Sequence, residues 1–132
     1  MIVYLDTSAA FKLLAAEAEP EPLAAALTAL DPADVLLSSR LLFTELHCAA
    51  QRRSVWDVTA VNAVLEMITL ADVTREDLDR AATSGWGLRS ADAIHLATAL
   101  RMQSEVLAAY DRELCAAGES AGLRLLRPGA TA

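Results

Sequence analysis

The chain has 132 residues, of which 55% are hydrophobic and 22% charged, and its formal net charge is −7. That length and composition fit one domain spanning residues 1–132 and exclude a disordered tail, and the acidic balance argues against a simple basic groove for nucleic acid. It suits instead a metal site built from carboxylates, or a basic protein partner; the excess of Ala and Arg, with Lys12 the lone lysine, reads as genomic bias.

Ile2 to Leu5 is apolar throughout, as a buried parallel strand is. Asp6, Thr7 and Ser8 then offer helix-capping side chains, and a helix follows to about Ala16. Pro20 and Pro22 punctuate the chain, with Pro22 suited to the first turn of a second helix that runs to about Leu30. Asp31 to Asp34 is a turn. Val35 to Leu37 is the next strand, and Ser38 or Ser39 caps a helix from Arg40 to about Arg53. Trp56-Asp57 begins another helix that ends near Thr69, and Leu70 to Val73 is a third strand. Thr74 with Asp77 starts a helix to about Ser84, and Gly85 and Gly87 break the chain. Ser90 starts a helix to about Met102, and Val106 to Tyr110 is a fourth strand. Asp111 to Ala117 is a short helix ended by Gly118. Leu123 to Leu126 is the last strand, stopped by Pro128-Gly129.

This alternation predicts an α/β fold, a parallel sheet with helices on both faces, and function gathered beyond the carboxyl ends of the strands. Four acids fall at such places: Asp6 and Asp111 after strands, Asp92 and Glu45 near helix starts. Each sits in apolar company, where a carboxylate needs something to compensate its charge. Two carboxylates about 4 Å apart repel by about 4 kcal/mol at an effective dielectric of about 20. Mg²⁺ or Mn²⁺ relieves that repulsion through hard oxygen ligands, activates water, and screens a phosphate.

Other readings stand beside this one. Asp6 and Asp111 can be helix caps, Asp92 can complement a helix dipole, and Glu45 can pair with Arg40 or Arg53. A phosphotransfer domain of the haloacid dehalogenase type needs a second Asp two residues after the first, and that position is Ser8. Receiver domains need an acidic pair after the first strand, which is absent. No Ser-His-Asp or Cys-His set competes; His47 and His95 read as packed histidines, with a catalytic or ligand role for His95 the alternative. Trp56 and Trp86 read as core or interface side chains, with base stacking the alternative, and Arg52, Arg53, Arg89 and Arg112 are candidate phosphate contacts. The apolar helices around Leu23 to Leu30 and Val61 to Leu70 suit either the core or an interface. Cys48 and Cys115 lack zinc spacing and read as reduced core thiols. No signal peptide opens the chain and no apolar run nears the roughly 20 residues of a membrane span, so a cytoplasmic location without membrane contact is expected.

Four segments together resemble a known family. They are Tyr4-Leu5-Asp6-Thr7-Ser8-Ala9, Thr44-Glu45-Leu46, Ser90 to Ala99, and Tyr110-Asp111-Arg112-Glu113-Leu114. These resemble the PIN domain, and more narrowly the VapC toxins of bacterial toxin–antitoxin pairs. The tail from Ala121 to Gly129 is similar to the way such chains end. The resemblance implies a PIN-like three-layer sandwich around a mainly parallel sheet of about four or five strands. It implies a Mg²⁺-dependent endoribonuclease, with Mn²⁺ able to substitute, that hydrolyses RNA. Asp6, Glu45 and Asp92 would be the core acidic triad and Asp111 the fourth acid. Ser8, or Thr7, would fill a hydroxyl position near Asp6. The expected partners are an RNA substrate, a VapB-like antitoxin lying across the acidic face, and a second copy of the chain. The competing class is a catalytically silent PIN-like module that binds RNA or protein.

Overall fold

The structure, a computed structural model, describes residues 1–15 and 21–130. Its elements in chain order are β1 (Ile2–Leu5), α1 (Thr7–Leu14), α2 (Pro22–Thr28), β2 (Val35–Ser39), α3 (Leu41–Arg52), α4 (Val58–Glu66), β3 (Thr69–Ala71), α5 (Arg75–Thr83), α6 (Ser90–Arg101), β4 (Val106–Ala108), α7 (Arg112–Ser120) and β5 (Arg124–Leu126). The end expected near Ala16 and the break at Pro20 lie outside the described residues.

The strands form one sheet in the order β3-β2-β1-β4-β5, and every neighbouring pair is parallel. The chain builds outward from β1 through β2 to β3, then returns to place β4 on the other side of β1. Strand order therefore reverses between β1 and β4, the switch point where α/β sheets open a crevice at their carboxyl edge. Asp6 and Asp111 follow these two strands. The backbone N–H of Asp6 donates to Ala108 O at 3.1 Å, so the first acid leaves the sheet directly beside the end of β4.

Alternation along the strands divides the core into two layers. Val3 and Leu5 of β1, with Val106 and Ala108 of β4, bury against Ala9, Leu23, Leu42, Leu46, Val61 and Leu65 of α1 to α4. Tyr4 and Leu107 face the other way and pack with Leu96, Ala99, Leu114 and Cys115 of α6 and α7. Each fully buried Leu contributes about 1.5–3 kcal/mol relative to exposure. This is the three-layer arrangement expected, with five strands.

Several boundaries differ from expectation for local reasons. Ser38 and Ser39 extend β2 instead of opening a helix: Ser38 Oγ donates across the sheet edge to Leu5 O at 2.6 Å, and Ser39 Oγ accepts from Leu41 N at 2.9 Å. The fourth helix stops at Glu66, because Thr69 already pairs with Leu37. Gly118 does not end α7; it lies buried inside it, where a Cβ would meet a Leu107 methyl at 2.6 Å. The helix closes at Gly122, whose φ of +102° allows the Gly122 and Leu123 N–H groups to reach back to Glu119 and Gly118. The apolar faces of α2 and α4 are mostly core, through Leu23, Val61, Val64 and Leu65. Cys115 is buried as expected, whereas Cys48 is exposed on α3.

Candidate active site

Asp6 leaves β1 and caps α1: its Oδ1 accepts from Ala9 N at 3.0 Å. Ser8 Oγ reaches both carboxylate oxygens of Asp6, at 2.7 and 2.9 Å, and itself accepts from Tyr110 N at 3.0 Å. Asp6 is only 2% exposed. Burial pushes its carboxyl above the usual range, against the opposing bonds from Ala9 and Ser8 and the field of His95.

Glu45 lies on the second turn of α3. Its Oε1 accepts from Thr7 Oγ1 at 2.8 Å and from His95 Nε2 at 2.6 Å. His95, on α6, is 1% exposed, and its Nδ1 lies 2.7 Å from the Tyr4 hydroxyl. Burial alone would raise Glu45; the bond and field of His95 and the Thr7 hydroxyl outweigh it and hold the carboxyl below its ordinary value.

Asp92 is the third residue of α6, one turn before His95 on the same helix face. Among the described residues its carboxylate accepts no hydrogen bond. It is half-buried and its pKa is pushed up to about 6, first by burial, then by the charges of Asp111 and Asp6, with Glu45 adding to them and His95 opposing. The other three acids thus all act on Asp92. Asp111 is exposed and caps α7, its Oδ1 accepting from Leu114 N at 2.9 Å. Asp6, Asp92 and Asp111 each stand at the first turn of a helix, where the N-terminal dipole offsets part of their mutual repulsion. The cap readings of Asp6 and Asp111 are therefore correct as geometry, and they coexist with the clustering of charge.

Among the described residues, no three His, Cys, Asp or Glu side chains stand in the spacing of a formed metal site. The chemistry of the donor set still fits a hard cation. It is made of oxygen ligands, and the charges of Asp111, Asp6 and Glu45, which add to burial in raising Asp92, are ones a bound cation would offset.

The remaining candidates fall elsewhere. Glu45 pairs with neither Arg40 nor Arg53: their guanidinium groups lie over Phe43 and Phe11, at 4.4 and 4.3 Å from the ring centroids. Arg52, Arg89 and Arg112 are exposed. His47 bonds Asn62 and Trp56 on the outer side of α3, so Trp56 stands half-exposed, not in the core. Trp86 packs on the second core layer under Arg80. A cavity of about 310 Å³ lies between α5 and α6, lined by Leu78, Ala81, Leu88, Ala93 and Ile94, and none of the four acids borders it. Sequence reasoning missed Tyr4. The available signal was a hydroxyl inside an otherwise apolar strand, on the face opposite Val3 and Leu5.

An all-parallel sheet with acids gathered at its switch point defines a doubly wound α/β protein with an acidic edge. The PIN domain profile matches residues 3–120, and the chain belongs to that family. It is similar to Ribonuclease VapC35 of Mycobacterium tuberculosis, 35% identical over 135 residues that span 97% of this chain and 98% of the relative. Among solved structures it is similar to Mycobacterium tuberculosis VapC20, a Sarcin-Ricin loop cleaving toxin, with a TM-score of 0.70 at 19% identity over 88% of this chain and 95% of that one. It is also similar to a toxin–antitoxin complex from Klebsiella pneumoniae, with a TM-score of 0.72 at 18% identity over 98% and 99% of the two chains.

Proposed function

We propose that the protein is an endoribonuclease toxin of the VapC kind that hydrolyses RNA phosphodiesters with Mg²⁺, Mn²⁺ serving in its place. The observation that carries this reading is Asp92, without a hydrogen-bond partner among the described residues and raised to about 6, first by burial and then by the other three acids. Asp6, Glu45 and Asp92 would hold the cation, with Asp111 as the fourth acid at the open side. Bound there, Mg²⁺ would supply charge stabilisation for the phosphate in the transition state and a more acidic water.

The protein's own groups set the stage for that chemistry. Ser8 fixes the carboxylate plane of Asp6, and Thr7 and His95 fix Glu45. Water attacks phosphorus, the bond to the 3′-oxygen breaks, and the leaving oxygen takes up a proton, giving 5′-phosphate and 3′-hydroxyl ends. Asp111, exposed at the start of α7, stands where substrate would approach.

The likeness to a relative named as a ribonuclease and to a toxin–antitoxin complex supports a VapB-like antitoxin as partner. The net charge of −7 suits a basic antitoxin segment. A second copy of the chain is the further partner in this reading; exposed Leu78 beside the cavity between α5 and α6 offers it an apolar contact. No helix among the described residues is long and apolar enough to cross a membrane, and cytoplasmic action is part of the proposal.

The test is Mg²⁺-dependent cleavage of RNA by the purified protein, with mapping of the ends. Asp6→Asn and Asp92→Asn should each abolish cleavage while the circular dichroism spectrum is unchanged. Cleavage retained in both variants would contradict the assignment. Failure to bind Mn²⁺ at millimolar concentration would favour the silent binding module instead.

A further inference from the structure

We propose that His95 is a positioning residue of this site: held at Nδ1 by the Tyr4 hydroxyl, it pins Oε1 of Glu45 and leaves Oε2 as the oxygen offered to a cation. The inference rests on the nuclease reading above, and it assigns a role to residues that do not touch RNA or metal.

The geometry is specific. A carboxylate only accepts hydrogen bonds, so the 2.6 Å contact requires a proton on His95 Nε2. The Tyr4 hydroxyl lies at the opposite nitrogen, at 2.7 Å, and with Nε2 carrying the proton the neutral ring accepts there from the phenol O–H. Tyr4 is wholly buried in the central strand, so the ring of His95 is anchored to the middle of the sheet. Thr7 Oγ1 donates to the same Glu45 oxygen at 2.8 Å. Two donors from α1 and α6 therefore converge on Oε1, while Oε2 has no partner among the described residues.

The arrangement answers an electrostatic problem. The Glu45 side chain is 25% exposed and can rotate about its side-chain torsions. Glu45 and Asp92 act on one another as like charges, and that repulsion would favour a free Glu45 carboxylate turned out to solvent. His95, one turn after Asp92, ties the carboxylate from α3 to the helix that carries Asp92. Being 1% exposed, it has no access to a substrate, which separates positioning from proton transfer to RNA. Hydrogen-bond partners of metal-holding groups commonly matter by about 10- to 100-fold in affinity or activity.

The experiment compares the intact protein with His95→Leu, His95→Gln and Tyr4→Phe. Mn²⁺ affinity is read by calorimetry, the ring tautomer by ¹⁵N NMR, and kcat against KM on RNA. The wild type should show the proton on Nε2. His95→Leu should weaken Mn²⁺ binding about 10- to 100-fold and lower kcat with little change in KM. His95→Gln, whose amide nitrogen can take the place of Nε2, should recover most of that loss. Tyr4→Phe should shift the tautomer population and weaken Mn²⁺ in the same direction. A folded His95→Leu that binds Mn²⁺ as wild type does, or a wild-type ring lacking the Nε2 proton, would overturn the proposal. Should His95→Leu not fold, the tautomer and Tyr4→Phe decide it: unchanged Mn²⁺ affinity in Tyr4→Phe would also overturn it. Asp6→Asn and Asp92→Asn keep the two readings apart. If they lose cleavage while His95→Leu keeps full metal affinity, the nuclease stands and the positioning role falls.

Discussion

Ser8 Oγ bridges both carboxylate oxygens of Asp6, at 2.7 and 2.9 Å, while the same oxygen accepts from the N–H of Tyr110. One hydroxyl thereby joins the first acid to the segment leaving β4, just before Asp111. Ser8→Ala should leave the Tyr110 N–H without a partner and remove a donor from a buried acid. The expected cost is about 1–3 kcal/mol in urea unfolding, with weaker cleavage. A variant as stable as wild type would show that the bridge is replaceable by water.

Asp92→Asn should separate stability from function. Its pKa of about 6 means that the ionised form is disfavoured in the fold. Allowing for solvent screening at a half-buried site, removing that charge should stabilise the metal-free protein by about 1–2 kcal/mol at neutral pH. Thermal unfolding without divalent metal checks this. Mg²⁺ should stabilise the wild type and leave the variant unaffected.

The same shift fixes a pH dependence. The folded pKa of Asp92 lies above the unfolded value of 3.8, so the native state holds the proton more tightly. Its destabilising effect is absent below the unfolded value, grows as pH rises from there, and is complete above about 6. Asp6, also raised, acts in the same direction. Glu45 is lowered, so its stabilising contribution is complete above its unfolded value of 4.5 and is lost only as pH falls below that. Urea midpoints of the metal-free wild type should therefore fall between about pH 4.5 and 6.5, and the slope should lessen in Asp92→Asn. Saturating Mg²⁺ should remove the decline.

A fifth acid tests the reverse case. Asp77 is 2% exposed, closes a capping box with Thr74, and binds Arg101 at 2.8 Å and Thr98 at 3.1 Å. Arg101 lies nine residues after Asp92, about 13 Å along α6, away from the acidic edge. Asp77→Ala should cost about 2–4 kcal/mol, because a cap is lost and the partners are stranded, with the Arg101 side chain 31% exposed moderating the loss. Cleavage per folded molecule should be unchanged.

What could be read from the chain divides along physical lines. The alternation of apolar strands with capped helices was legible because period and capping are local, and it led to the parallel sheet and its layers. Asp6, Thr74, Asp57 and Asp111 announced their helices in the same way. Ser38 and Gly118 misled because their roles depend on distant neighbours, Leu5 O and Leu107, that no local window contains. Cys48 misled because the apolar flanks of α3 do not say which face a residue takes. The four acids were visible as exceptions to an apolar pattern. Tyr4, Thr7 and His95 were harder, since their joint function exists only once β1, α1, α3 and α6 meet.

The most direct measurement is anomalous diffraction from crystals soaked in Mn²⁺. The expected result is a peak within about 2.5 Å of oxygens from Asp6 and Asp92, with Glu45 Oε2 or Asp111 as the next nearest protein atoms. Density at another surface, or none at millimolar Mn²⁺, would contradict a shared cation at the acidic edge and with it the nuclease reading.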